Sequence, residues 1–226
     1  MSLDRKAEIA ANLSMVREKI NAAAIQSKRN LSDINLIVVT KTFPVSDLQY
    51  LYDLGVRDFG ENRDQEASSK VSQLPKDVNW HFQGQIQSNK LKSITSWASY
   101  IHSVDQFKYA KMISGFAAEK IKSIFLQISL DKIPEIRGGV DPAKLQELAS
   151  QISQLPNINL MGLMAVAPLE EGADSAFARL ATYHQEFVKN FPEAKYLSAG
   201  MSGDYESAIL HGATHIRIGS SILGNR

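Results

Sequence analysis

Leu36-Ile37-Val38-Val39-Thr40-Lys41-Thr42-Phe43-Pro44 is the stretch of sequence that most constrains the fold. A run of apolar and β-branched residues such as 36–40 is typical of a strand buried on both faces, and such strands occur in parallel sheets covered by helices. A cation directly after the run needs access to water or to an anion. We therefore expect Lys41 at the mouth of the sheet.

Lys41 has two interpretations. A lysine at a strand end that extends its amine into solvent is the commoner case. A desolvated lysine loses proton affinity and becomes a nucleophile suited to Schiff-base chemistry. The rest of the sequence favours the second interpretation.

Strand and helix patterns alternate along the whole chain. A first helix is predicted over residues 4–27, where Ile9, Leu13, Val16 and Ile20 share one face. The dipeptide Asp141-Pro142 is a strong helix start. Eight strand patterns are found, at residues 36–40, 56–62, 79–84, 100–104, 123–129, 160–166, 195–198 and 214–219.

Eight strands that alternate with helices predict an α/β fold, a single TIM-type (β/α)8 barrel with an extra N-terminal helix. We expect residues 1–226 to form one domain. The alternative is an open doubly wound sheet. No G-x-G-x-x-G follows the first strand, which weakens that alternative.

The composition excludes several classes of protein. Of 226 residues, 44% are hydrophobic and 22% charged, and 25 basic against 24 acidic residues give a net charge of +1. That balance gives no reason to expect a nucleic acid or a membrane as a partner. The absence of cysteine excludes disulfides, thiolate catalysis and zinc–thiolate sites. No apolar run reaches transmembrane length, and acidic residues near the start argue against a leader, so we expect a cytoplasmic protein.

Polar and reactive residues gather at the carboxyl ends of the predicted strands, where barrels of this type carry their active groups. These positions are Lys41, Glu61-Asn62, His81 with Gln83 and Gly84, Ser129, Met164, Ser198 to Ser202, and Arg217 with Gly219-Ser220-Ser221.

The last two loops predict an anion site. Gly200-Met201-Ser202-Gly203-Asp204 is a glycine-rich turn before a helix, and Gly219-Ser220-Ser221 ends the eighth strand. Backbone amides and hydroxyls at such loops bind phosphate, and this is the usual phosphate position in the architecture. The alternative is that Ser202 only caps the helix. Asp204 agrees with an anion only if its carboxylate turns away.

Arg217 lies inside the predicted eighth strand, where an unpaired cation is costly. Two uses would explain it: an ion pair, or a contact with a ligand's ring nitrogen that keeps this nitrogen unprotonated.

Several motifs, taken in order, resemble the YggS/PROSC family of pyridoxal phosphate homeostasis proteins, and the resemblance runs from about Lys41 to the C-terminus. The motifs are Val39-Thr40-Lys41, Phe59-Gly60-Glu61-Asn62, Trp80-His81-Phe82-Gln83-Gly84, Gln87-Ser88-Asn89-Lys90, Gly162-Leu163-Met164, Leu197 to Asp204, and Arg217-Ile218-Gly219-Ser220.

The resemblance implies a barrel similar to the N-terminal domain of alanine racemase, with pyridoxal 5′-phosphate (PLP) as its cofactor. Lys41 would form the internal aldimine, and Arg217 would contact the pyridine nitrogen. Ile136-Arg137-Gly138-Gly139 stands where many relatives have lysine-x-glycine, so the role of Arg137 is open. The phosphate would be bound by Ser202, Gly219 and Ser220, and the ring would be surrounded by Asn62, His81 and Met164.

Three functions compete. The first is a PLP-binding protein, a non-catalytic carrier that buffers the coenzyme or delivers it to apo-enzymes. The second is an amino-acid racemase, which needs a second base; in the racemases this is a tyrosine from a further domain, and the sequence ends at Arg226 without one. The third is a cofactor-free aldolase. An arginine at the ring nitrogen makes the cofactor a weaker electron sink, which suits the carrier and the racemase.

No large exposed apolar stripe is found in the sequence, so we expect a monomer.

Overall fold

The computed structural model describes residues 3–118, 120–131 and 138–225, and its strands form a closed parallel barrel in chain order. The predicted (β/α)8 architecture is confirmed. The last strand pairs with the first, Arg217 opposite Ile37, which closes the cylinder. The strands are β1 (Asn35–Val39), β2 (Asp58–Glu61), β3 (Asn79–Phe82), β4 (Tyr100–Val104), β5 (Lys122–Gln127), β6 (Ile158–Met164), β7 (Tyr196–Ser198) and β8 (His215–Ile218).

Helices cover the outside of the barrel, and the predicted N-terminal helix is present. Its residues Ile9, Leu13 and Val16 are buried, because this helix packs against the second, eighth and ninth helices. Asp141 accepts a hydrogen bond from the amide of Ala143, as a helix cap should. The α-helices are α1 (Leu3–Gln26), α2 (Val45–Asp53), α3 (Asp64–Val71), α4 (Leu91–Trp97), α5 (Phe107–Phe116), α6 (Leu145–Ile152), α7 (Ala173–Asn190), α8 (Tyr205–Leu210) and α9 (Ser220–Leu223).

None of the helices in the described residues is both long and apolar enough to cross a bilayer.

The apolar core lies mainly between the strands and the helices, whereas the interior of the barrel contains rings and polar groups. His102 stacks on Phe125 with ring centroids 4.5 Å apart, and Phe125 meets His215 edge-on at 5.1 Å. His81 and Arg217 are buried in the same interior. A barrel of eight strands is filled by its own side chains, so its polar groups must find partners within it.

A bulge in β6 changes the direction of its side chains. Ile124 pairs with Leu160 and Phe125 pairs with Gly162, so the residue between them is left out of the register. As a result Leu160 and Leu163 both pack against the outer core, although strict alternation would separate them. The shift leaves Met164, at the end of the strand, facing the barrel mouth.

Candidate cofactor-binding site

A cavity of about 510 Å³ opens at the carboxyl ends of the strands, which is a volume suited to a small organic ligand. The structure brings seven of the eight candidate residues to this cavity and places His81 elsewhere. The seven are Lys41, Asn62, Met164, Ser202, Arg217, Gly219 and Ser220.

Lys41 stands at the rim, where the chain leaves β1 and turns sharply. Thr42, the next residue, has a φ of 69°, which is unusual for a β-branched side chain. Lys41 is exposed and forms no ion pair with any described residue. The expectation of an amine with access to water is therefore met, whereas the expectation that burial desolvates it is not.

Ser202 does not cap α8, the helix that follows it in the sequence. α8 begins at Tyr205, with Asp204 before it, and the Ser202 Oγ instead accepts hydrogen bonds from the amides of Gly219 and Ser221, each at 3.3 Å. Two amides of the last loop thus converge on one oxygen of the loop before it. These bonds are long for N–H···O contacts, so the amides are oriented toward an acceptor that they hold only loosely.

Asp204 turns away from this point, as an anion site requires. Its Oδ1 accepts a hydrogen bond from the amide of Met201, 2.5 Å away, within its own turn. Gly203 faces open space, because a Cβ placed there would meet nothing within 4 Å. The two loops therefore leave room for a ligand group beside Ser202.

Arg217 is buried at the floor of the cavity, and no described carboxylate pairs with it directly. Its Nη1 donates to the Ser198 Oγ at 2.8 Å, and its Nη2 donates to the Ala165 carbonyl at 3.0 Å. Burial lowers the pKa of Arg217 to about 10, a change that the negative charge of Asp204 partly opposes. The guanidinium still carries its charge at neutral pH, and it has five N–H donors for these two acceptors.

His81 is a correction to the sequence-based prediction. It does not line the cavity, because it lies within β3, two residues before Gln83 at the cavity, and is fully buried. Its Nε2 is 2.9 Å from the Asp58 Oδ1, and its Nδ1 is 2.9 Å from the Nε2 of His102. His81 is thus part of the barrel interior rather than the wall of the cavity.

A chain of hydrogen bonds connects this histidine to the cavity floor. The His102 Nδ1 is 2.9 Å from the Ser198 Oγ, which also receives Arg217. Because the Asp58 carboxylate only accepts, His81 donates to it; with neutral rings His102 then donates to His81, and Ser198 donates to His102 while it accepts from Arg217. Both imidazoles are neutral in this arrangement, in agreement with burial, which lowers the pKa of each.

Two buried polar atoms at the cavity have no hydrogen-bond partner in the described residues. They are the Asn62 Oδ1, an acceptor, and the Gln83 Nε2, a donor. A buried polar atom left unpaired costs about 1–3 kcal/mol. A ligand with polar groups on a ring would satisfy both.

Sequence reasoning did not select several residues that line the cavity. Gln83 was recognised at a strand end but was not assigned to the cofactor, although it stands two residues after His81 and so points the same way. Residues Phe43 and Val166 follow strand ends that were already recognised, whereas Asn225 comes from beyond the last motif and carried no signal. All four line the cavity.

Comparison with known proteins identifies the family. Residues 6–226 match the family model described as alanine racemase, N-terminal domain. A protein of Mycobacterium bovis named pyridoxal phosphate homeostasis protein is 37% identical over 99% of this chain and 95% of its own length. The chain belongs to this family of pyridoxal phosphate homeostasis proteins.

Two solved structures have folds similar to that of this chain. PipY of Synechococcus elongatus, in a structure with PLP bound, is 34% identical, with a TM-score of 0.81 over 96% of this chain and 100% of that chain. An alanine racemase of Clostridium difficile has a TM-score of 0.74 but only 14% identity, and the match covers 99% of this chain and 60% of the racemase. The second likeness shows the fold alone.

The family resemblance predicted from the motifs is therefore confirmed, and the departure noted at Arg137 lies outside the described residues.

Proposed function

We propose that this protein holds PLP as a Schiff base on Lys41 and acts in PLP homeostasis as a carrier, without a dedicated catalytic turnover. The observation that carries the proposal is the convergence on one cavity of an accessible lysine, two loops joined through Ser202 and a buried arginine. The names of the relatives and the PLP in the PipY structure support the choice of cofactor.

The residues of the cavity fit PLP group by group. Lys41 would add its amine to the aldehyde carbon, with the carbonyl oxygen leaving as water. The Ser202 hydroxyl and the amides of Gly219 and Ser220 would hold the phosphate. Arg217 would donate to the pyridine nitrogen, and the unpaired Asn62 Oδ1 is an acceptor available to the ring hydroxyl.

The surroundings of Lys41 favour binding over turnover. Racemisation through PLP needs a base on each face of the bound ring, and no tyrosine is among the described residues that line this cavity. The arginine at the ring nitrogen makes the cofactor a weaker electron sink, which suits a carrier and a racemase alike, so the second base decides between them. We therefore favour a carrier that serves apo-enzymes over a racemase-like enzyme.

The test is a visible spectrum of the purified protein with PLP, before and after borohydride, followed by peptide mapping of the reduced adduct. We expect an imine absorbance band and a single adduct at Lys41. Lys41→Ala should abolish both while the melting temperature of the cofactor-free protein stays unchanged, because the exposed side chain contributes little to packing. Lys90→Ala is the matched control, since Lys90 is the other lysine in the family motifs, and it should keep the band.

An adduct on Lys90, or a band that survives Lys41→Ala, contradicts the assignment of Lys41. Exchange of the α-hydrogen of alanine for deuterium, followed in heavy water, decides between carrier and enzyme. The carrier predicts no exchange above that of free PLP, and steady enzymatic exchange would establish the racemase-like alternative.

A further inference from the structure

We infer that Lys70, together with Glu61 and Glu66, is a positioning group for Lys41, because it fixes the backbone on both sides of that residue from behind the barrel wall. The inference deepens the proposed function and rests on it. These three residues, here called the acid–lysine clamp, lie between the barrel and α3, outside the cavity.

Lys70 uses its ammonium group to bind three acceptors beside Lys41. Its side chain is 5% exposed, and its Nζ lies 2.7 Å from the Thr40 carbonyl oxygen, 2.7 Å from the Glu61 Oε1 and 2.6 Å from the Glu66 Oε1. An ammonium group has three hydrogens, so each is used. One of the three holds the peptide that precedes Lys41.

The carboxylates complete the contact on both sides of Lys41. The Thr40 hydroxyl donates to the Glu61 Oε1 at 2.6 Å, and the amide of Thr42 donates to the Glu66 Oε1. Thr40 and Thr42 are the two neighbours of Lys41, and both are therefore fixed through side chains that meet at one ammonium group.

The geometry at Thr42 shows why such a clamp is needed. Its φ of 69° is in the left-handed region, which a β-branched residue adopts only when its surroundings impose it. The bond to Glu66 supplies that constraint. Without it, the turn could relax to an ordinary conformation, and the Lys41 side chain would leave from a different direction.

A buried ion pair between a helix and a strand could also serve stability alone, and the two roles make different predictions. A purely structural pair affects every property of the folded cavity alike. A positioning group affects only what depends on the direction of Lys41, namely the Schiff base, and leaves the loops that hold the phosphate unchanged. Pyridoxine 5′-phosphate separates the two, because it has the ring and phosphate of PLP without the aldehyde.

The experiment compares Lys70→Met and Glu66→Ala with the unaltered protein. For each we expect the equilibrium constant of imine formation with PLP to fall about tenfold or more, because an oriented amine reacts far better than a disordered one. Affinity for pyridoxine 5′-phosphate should not change. Glu66→Gln keeps an acceptor for the Thr42 amide and should restore imine formation. Glu186→Ala removes an exposed glutamate from α7 and is the control for charge.

Loss of the buried Lys70 charge leaves Glu61 without its partner, so Lys70→Met has the greater chance of failing to fold. Glu66 is only partly buried, and Glu66→Ala tests the inference by itself. An equal loss of both ligands in Glu66→Ala, or no loss of either, overturns the positioning role. An unaltered protein that forms no adduct at Lys41 contradicts the proposed function and the clamp together, whereas a normal adduct in every variant overturns the clamp alone.

Discussion

At the scale of single residues, Arg217 carries a charge inside the barrel, and burying this charge lowers the stability of the fold. It has neutral partners in Ser198 and Ala165, and burying an ion without a direct counter-ion costs several kcal/mol. We expect Arg217→Met to weaken PLP binding by roughly tenfold or more, since a hydrogen bond from a charged group contributes about 1.5–3 kcal/mol. The same change should leave the cofactor-free protein at least as stable as before.

The measurement is a PLP titration beside a urea-unfolding curve of the cofactor-free variant. Ser198→Ala is the graded control, because it removes one contact of Arg217 and keeps the charge, so its effect on binding should be smaller. Unfolding of the Arg217→Met variant would show that the arginine has a structural role. Normal PLP binding by this variant would show that the arginine has no role in binding.

Individual positions could be predicted from the sequence as far as strand ends can be recognised. Lys41 and Arg217 were found because a charge beside an apolar run is conspicuous. His81 was placed one layer too high, since the sequence does not show where a strand's last inward residue meets the cavity. The hydrogen bonds of Ser202 were not predicted, because its partners, Gly219 and Ser221, follow another strand.

At the scale of elements, the bulge in β6 depends on Gly162. Its φ is 147°, and a Cβ at this position would lie 1.8 Å from the Tyr196 carbonyl oxygen of β7. Gly162→Ala should therefore force β6 and β7 apart and lower the free energy of unfolding by about 3 kcal/mol or more. Met164 follows the bulge, so PLP affinity should fall as well. Chemical denaturation of the variant measures the first effect.

Gly115→Ala is the matched control, because Gly115 lies in α5 and a Cβ at this position would meet nothing within 4 Å. Alanine is the better helix former, and this change should raise stability by about 0.5–1 kcal/mol. A Gly162→Ala protein as stable as Gly115→Ala would show that the β6–β7 pair tolerates a side chain and that the bulge does not require glycine.

Elements were easier to predict than the contacts between them. Alternating strands and helices indicated the barrel, and Asp141-Pro142 marked a helix start correctly. The burial of Lys70 could not be predicted, because α3 has few apolar residues and its sequence gives no sign that Lys70 contacts the Thr40 carbonyl beside Lys41. Long-range pairs of this kind depend on how the chain closes into a barrel.

At the scale of the whole molecule, the polar interior should make stability depend on pH. Four of the five histidines have a pKa lowered by burial, that of His215 to about 3. In the unfolded chain they take up protons near the ordinary value of 6.5. Between these two values the unfolded state binds more protons, so stability is complete above about pH 6.5 and is lost as the pH falls. Of the other three, His81 and His102 lie in the same interior, whereas His184 is a partly buried residue of α7.

Each of these four histidines should lower the free energy of unfolding by up to about 1.4 kcal/mol per pH unit below its unfolded pKa. Glu61, whose pKa is raised by burial, opposes this change with a single proton, so the histidines dominate.

Urea unfolding of the cofactor-free protein at about pH 7, 6 and 5 measures this dependence of the free energy of unfolding on pH. His215→Gln should reduce the slope by the share of one histidine, whereas His211→Gln, beside Asp174, leaves the four histidines with a lowered pKa in place and is the control. A stability that does not change over this range would mean that the histidines of the interior take up protons in the folded state. The assignment of neutral imidazoles to His81 and His102 would then be wrong.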